Sequence, residues 1–141
     1  MILVVDASVA LKWFLDVRDG EPDRERALTL LHSVDDEGVR MVQPAHFIAE
    51  VAAVLARVKP DAAEDDLLDL LSMEWGTVET PETYATALDL SIRYQHHLFD
   101  TLYHAVALRV QGASLITADR RYYDKASGEG RIILLADWLP G

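Results

Sequence analysis

Four carboxylates stand where this sequence could do chemistry. Asp6 ends the apolar run "ILVV", Asp119 follows "SLITA", Asp100 lies in "HHLFDTLYHAVALRV", and Glu50 lies in "PAHFIAEVAAVL". Each also fits an ordinary structural role. Asp6 and Asp119 each follow a strand-like segment, where an aspartate commonly caps a helix N-terminus for about 1 kcal/mol. Ser8 could do that job beside Asp6, and an Asx-turn is the variant at Asp119. Asp100 or Thr101 would cap the apolar helix that follows them. Glu50 is the most informative, because His46, Glu50 and Arg57 are the only polar side chains between positions 45 and 58. At the helical period these three share one narrow stripe. A helix so apolar is expected to be largely buried, with its polar line facing either a thin solvent exposure or an internal cleft. A local contact between His46 and Glu50, one turn apart, is the competing explanation.

As a set, the four acids point to a common place. Three are expected at strand-to-helix junctions or helix starts, and the fourth is the lone carboxylate of an apolar helix. Carboxylates that converge repel one another and raise their pKa values unless a hard cation binds them. Mg²⁺ or Mn²⁺ suits that role, since both take oxygen ligands and keep waters that can react.

The elements that must position these groups are legible from periodicity. Strands are expected at Ile2 to Val5, Val39 to Val42, 76 to 79 (weakly), 114 to 117 and 131 to 135. Helices are expected at Ser8 to Leu15, about Asp23 to Val34, from Pro44 to the break at Lys59-Pro60, through "AEDDLLDLLSM", at Glu82 to His97, and at Thr101 to Gln111 with Gly112 as the C′ residue. The polar stretches "DVRDGEPD" and "DDEG" read as turns. Strand and helix alternate nearly throughout, which favours a mostly parallel sheet with helices on both faces. In such sheets ligands bind outside the carboxyl ends of the strands, where Asp6 and Asp119 fall on this reading.

Composition narrows the class. With 141 residues, half of them hydrophobic, the chain reads as one domain, residues 1–141. No apolar run approaches the roughly 18 residues needed to span a bilayer, and no charged leader precedes the first strand, so a soluble, unexported, cytoplasmic protein is expected. The absence of cysteine excludes disulfides, zinc thiolate sites and thiol nucleophiles. A balance of 24 acidic to 13 basic side chains, net −11, argues against broad nonspecific adhesion to nucleic acid. It leaves room for a nucleic acid substrate at a site that a bound cation makes locally electropositive.

Four blocks, "VVDASVALKWFL", "PAHFIAEVAAVL", "LFDTLYHAVAL" and "LITADRRYY", occur in an order and at separations that resemble the PIN-domain ribonucleases, in particular the VapC toxins of bacterial toxin–antitoxin modules. The resemblance covers essentially the whole chain. It implies a single α/β/α PIN-like domain with a mostly parallel central sheet of about five strands. It further implies Mg²⁺- or Mn²⁺-dependent endoribonuclease activity, a cognate VapB-like antitoxin, and a homodimer. Block by block, it makes Asp6, Glu50, Asp100 and Asp119 the catalytic and metal-holding acids, with Ser8 and Thr117 as the supporting hydroxyls. Thr101 stands where many members have alanine and could adjust the hydrogen bonding of Asp100.

The chemistry so implied is metal-assisted hydrolysis of RNA phosphodiester bonds, with one or two ions held mainly by Asp6 and Asp100. Lys12, Arg120 and Arg121 are candidate contacts to RNA phosphates, or solvated surface charges. A receiver domain or haloacid-type phosphatase also places an aspartate after its first strand, but the phosphatase needs a second aspartate where Ser8 stands, and neither uses a helical acid like Glu50. No Gly-rich phosphate loop is present. A stand-alone nuclease and a non-catalytic acidic module gripping an Arg-rich peptide are the remaining alternatives.

Overall fold

The computed structural model describes residues 1–16, 22–36 and 38–141. Most of the expected turn "DVRDGEPD" and one residue of "DDEG" lie outside them. Five strands, β1 (Ile2–Val5), β2 (Arg40–Gln43), β3 (Gly76–Thr77), β4 (Ala113–Thr117) and β5 (Ile132–Leu134), form one sheet in the order β3-β2-β1-β4-β5. Every pairing is parallel. The helices of the described residues are α1 (Ala7–Phe14), α2 (Arg24–Asp35), α3 (Phe47–Val58), α4 (Ala63–Leu71), α5 (Pro81–Tyr94), α6 (Leu98–Arg109) and α7 (Arg120–Ala126). The expected α/β class and five-stranded parallel sheet are therefore what the chain forms.

Strand order explains the layering. The chain steps outward from β1 to β2 to β3, returns to the other side of β1 for β4, and steps outward again to β5. Because parallel crossovers are right-handed, the first two steps place α1 to α4 on one face and the last two place α5 to α7 on the other. Accordingly α1 packs against α2 and α3, and α5 against α6 and α7. The reversal of direction lies between β1 and β4, which is where an open parallel sheet leaves a crevice at its carboxyl end.

The central strands are apolar because both faces are covered. Leu3, Val4, Val5, Leu115 and Ile116 are all buried, and α6 lies across β1, β2 and β4 with Thr101 to Ala107 buried without interruption. Each such aliphatic side chain contributes roughly 1.5–3 kcal/mol relative to exposure. Gln43 is one of the polar side chains buried in this core, and it has a specific task. Its buried amide accepts from the Val5 N–H (2.7 Å) and donates to the Val5 carbonyl (2.8 Å). A side chain thus continues the β1–β2 ladder past its last backbone pair, Leu3 with Met41, and satisfies the end of β1 where Asp6 begins.

Several boundaries differ from expectation for physical reasons. Helix α6 starts at Leu98, three residues early, because His97 is its cap: the ring Nδ1 accepts from the Phe99 N–H at 3.0 Å. Helix α5 stops at Tyr94 rather than His97, since Gln95 adopts the left-handed conformation (φ 49°). Gly112 follows the α6 C-cap, Val110, by two residues and has φ 81°, so it serves a turn one position later than C′. Helix α3 is not buried all round. Phe47, Val51 and Leu55 face the core while Ala49, Ala53, Ala56 and Val58 are exposed, because alanine is small enough to serve either face. Helix α7 has no periodic signature in the sequence, because its seven residues are too few to show one. Among the described residues, no helix is long and apolar enough to cross a membrane.

Candidate metal centre

The site grows from the two strand ends at the crevice. Asp6 leaves β1 with its N–H bonded to the Ile116 carbonyl at 3.0 Å, so β4 fixes its backbone. It occupies the N-cap position of α1, but its carboxylate makes no capping bond. Instead Oδ2 accepts from the Ser8 hydroxyl (2.6 Å) and the Thr117 hydroxyl (2.8 Å). Those hydroxyls in turn accept from the N–H groups of Ala118 (3.1 Å) and Asp119 (3.0 Å). Ser8 and Thr117 therefore stitch the turn after β1 to the turn after β4, with Asp6 at the seam.

Asp119 divides its two oxygens. Oδ1 caps α7 by accepting from the Tyr122 N–H at 3.0 Å, while Oδ2 points into the crevice, 3.6 Å from His96 Nε2. Asp100 is free of capping duty, since His97 performs it, and its Oδ2 lies 3.1 Å from the same His96 nitrogen. His96, Asp100 and Asp119 each bring one ligand-type atom within 4.8 Å of the others. Glu50 enters from α3: its Oε1 accepts from the buried Tyr103 hydroxyl at 2.7 Å and lies 3.1 Å from His46 Nε2, which also faces the Phe99 carbonyl at 2.8 Å. The His46–Glu50 contact, one of the two alternatives from sequence, is present at 3.1 Å. The Thr101 hydroxyl does not bond the Asp100 side chain; its one proton is shared between the carbonyls of Ala87 (2.8 Å) and Leu98 (3.2 Å), tying α6 to α5.

Burial and neighbouring charge both act on the acids of this site. Burial pushes the Asp6 carboxyl up to about 7, against the two hydroxyl bonds, with the charges of Asp100 and Glu50 adding to the rise. Asp100 is raised as well, first by burial and then by Glu50 and Asp119, with His96 and His97 opposing. The Tyr103 hydroxyl is pushed far upward by burial and by Asp6, Glu50 and Asp100. Asp6, just after β1, thus feels Asp100 and Glu50, and Asp100 on α6 feels Glu50 on α3 and Asp119 in the β4–α7 turn.

Among the cations expected near phosphate, Arg120 and Arg121 are exposed at the start of α7, directly after Asp119. Lys12 is 5% exposed, buried at the far end of α1, and so lacks the exposure that a contact to an RNA backbone needs. Sequence reasoning missed His96 and Tyr103. His96 carried one usable signal, its i, i+4 spacing from Asp100, but the intervening helix boundary hid it.

A donor set of carboxylates, two of them raised first by burial and further by neighbouring negative charge, suits a hard divalent cation. Acids gathered at the switch point of a parallel α/β sheet place oxygen donors where such sheets bind ligands. A sequence model of the PIN domain matches residues 3–128, and the chain belongs to that family. PIN domains are in general nucleases that depend on a divalent metal. Among curated proteins, no sequence matches the chain significantly.

Proposed function

We propose that this chain is a Mg²⁺- or Mn²⁺-dependent endoribonuclease and the toxin component of a type II toxin–antitoxin module of the VapC kind. The observation that carries the nuclease reading is the grouping of carboxylates after β1 and β4 and on α6 in a PIN domain: Asp100 and Asp119 lie side by side, and Asp6, raised first by burial, also feels the charges of Asp100 and Glu50. The toxin assignment rests on the four sequence blocks. Asp6, Asp100 and Asp119, with Glu50 bordering them, would hold one or two ions. The ion would supply Lewis-acid polarisation of the scissile phosphate and activation of water.

The chain's own groups do the rest. Ser8 and Thr117 keep Asp6 oriented, and Tyr103 does the same for Glu50. Arg120 and Arg121 would contact RNA phosphates. Cations in the first turn of a helix run against its dipole, so helix stability does not explain their position. An antitoxin with a basic segment would complement the acidic crevice. An exposed apolar row on α5, Tyr84, Leu88 and Ile92, supports an interface of the homodimer that the resemblance implies. A toxin of this kind would act in the cytoplasm.

The test uses purified chain, free of antitoxin, on structured RNA. Cleavage that EDTA abolishes and Mg²⁺ or Mn²⁺ restores is expected, with new ends mapped in total RNA after brief induction. Binding of a basic peptide without metal-dependent cleavage would establish the acidic binding module instead. Cleavage without a copurifying, growth-protecting partner would leave a stand-alone nuclease.

A further inference from the structure

We propose that Phe99 is a substrate-binding residue of the same site, its phenyl ring a stacking platform for one base of the RNA whose phosphate lies at the carboxylates. The inference rests on the nuclease reading of those carboxylates and adds to it where the base goes. A single exposed apolar side chain is ordinary by itself. This one is distinguished by its surroundings.

Phe99 immediately precedes Asp100 in the first turn of α6, and 49% of it is exposed. Two rings hold it. His97 stands edge-on to it, with centroids 4.7 Å apart and planes at 69°, and His97 is itself fixed because its Nδ1 accepts from the Phe99 N–H at 3.0 Å. His46 leans against it from just before α3, with centroids 5.2 Å apart and planes at 42°. The backbone is anchored as well: the Phe99 carbonyl lies 2.8 Å from His46 Nε2, the atom that is 3.1 Å from Glu50. Phe99 thus borders the crevice, with Glu50 one histidine away and Asp100 next in the chain.

Helix geometry lets one nucleotide reach both groups. Side chains tilt toward a helix N-terminus, so Phe99 and Asp100 both lean toward the crevice end of α6. At 3.6 residues per turn they diverge by about 100° around the axis, which sets a base on the ring beside a phosphate at the carboxylate. A nucleobase suits this place better than a protein side chain does. Every base has a flat π face that a lone aromatic ring satisfies, whereas protein partners dock on contiguous apolar patches. The exposed neighbours of Phe99 in the preceding turn, Gln95 and His97, are polar, and the rings it touches are histidines. Because the ring is held before any ligand arrives, little rotamer freedom is left to lose on stacking.

The fluorescence of 2-aminopurine falls when that base stacks, and it reads the contact apart from catalysis. Short unstructured RNAs, each carrying the probe at a single position, are bound to the full chain with Ca²⁺, which takes oxygen donors as Mg²⁺ does. The wild type should quench the probe at one position or at two adjacent ones. F99W should keep that quenching, whereas F99L should lose it and bind the RNA roughly 5- to 100-fold more weakly. In Mg²⁺-dependent cleavage of the same RNAs, F99L should raise KM by a similar factor with a smaller change in kcat. Quenching at no position in the wild type, or wild-type quenching and affinity in F99L, would overturn the proposal. Equal losses of affinity in F99W and F99L would also overturn it, by marking a structural role. Should F99L fail to fold, F99M, which likewise lacks a π face, takes its place. If F99L weakens only the copurification of a protein partner, the ring is a protein contact and the proposal falls. RNA binding and cleavage absent from the wild type itself would remove the nuclease reading, whereas cleavage that ignores Phe99 would leave that reading standing without the platform.

Discussion

Asp6 and Asp100 face the same crevice, yet they are secured in opposite ways. Asp6 is buried at the seam of the sheet, its Oδ2 locked by two hydroxyls that are themselves tied to backbone N–H groups. Asp100 is a third exposed, on the first turn of a helix capped by another residue, with a histidine beside it. Burial costs Asp6 its easy ionisation, which the hydroxyls only partly offset; exposure leaves Asp100 closer to ordinary behaviour but dependent on neighbours for orientation. On the proposed reading, a rigid, reluctant carboxylate on one side and an adjustable one on the other would share a cation.

The sharpest way to break this pairing is to neutralise one side. Asp6→Asn and Asp100→Asn should each lower the RNA cleavage rate by at least about two orders of magnitude, measured with saturating metal. Full activity in either variant, with contaminating nuclease excluded, would remove the mechanism. Metal binding should register the same cooperation in stability: Mg²⁺ at a hundredfold excess over Kd should stabilise the wild type by about 2.7 kcal/mol in denaturation curves, and the Asp100→Asn variant much less.

The buried side also predicts a pH dependence specific to itself. Asp6 is raised from 3.8 to about 7 in the folded chain, so between those values the native state binds more protons than the unfolded one. Stability of the metal-free protein should therefore decline as pH rises from about 4 to about 7 and level off above, by up to a few kcal/mol. In Asp6→Asn that decline should largely vanish. In Asp100→Asn the metal-free protein should hold or raise its melting temperature, because like-charge repulsion is relieved and no cap is lost. A melting temperature that falls in EDTA and recovers fully with metal would show that Asp100 serves packing instead.

The smallest expected effects separate the two duties of Asp119. Asp119→Ala should cost about 1 kcal/mol through the lost cap on α7, whereas Asp119→Asn should cost only a few tenths, since asparagine caps nearly as well. Both should impair metal binding, measured by calorimetry. If asparagine preserves metal affinity as well as stability, Oδ2 of Asp119 has no part in the site.

How much of this could be read from the chain depends on range. Apolar runs ending in an acid located Asp6 and Asp119, because burial on both faces of a parallel strand leaves a continuous apolar run that stops where the strand stops. The single acid of α3 stood out against alanine and aliphatic residues for a similar reason. Blocks in a set order then linked the four. Helix ends were less legible: Asp100 and Thr101 are the plausible caps of α6 in sequence, whereas the cap in the structure is His97.

What the sequence determined by itself was therefore local, the strands and helices and the acids at their ends, since backbone sterics and burial act over a few residues at a time. Only the tertiary structure decided how the acids would be used. The order β3-β2-β1-β4-β5 set Thr117 against Asp6, 111 positions away, and set the Gln43 amide against Val5. Packing of α6 against α5 sent the Thr101 hydroxyl away from Asp100, and burial removed Lys12 from the surface. The turn between α5 and α6 brought His96 to Asp100 and Lys125 to His96. Hydrogen bonds depend on distance and angle within a few tenths of an ångström, and those are fixed by packing between elements far apart in the chain.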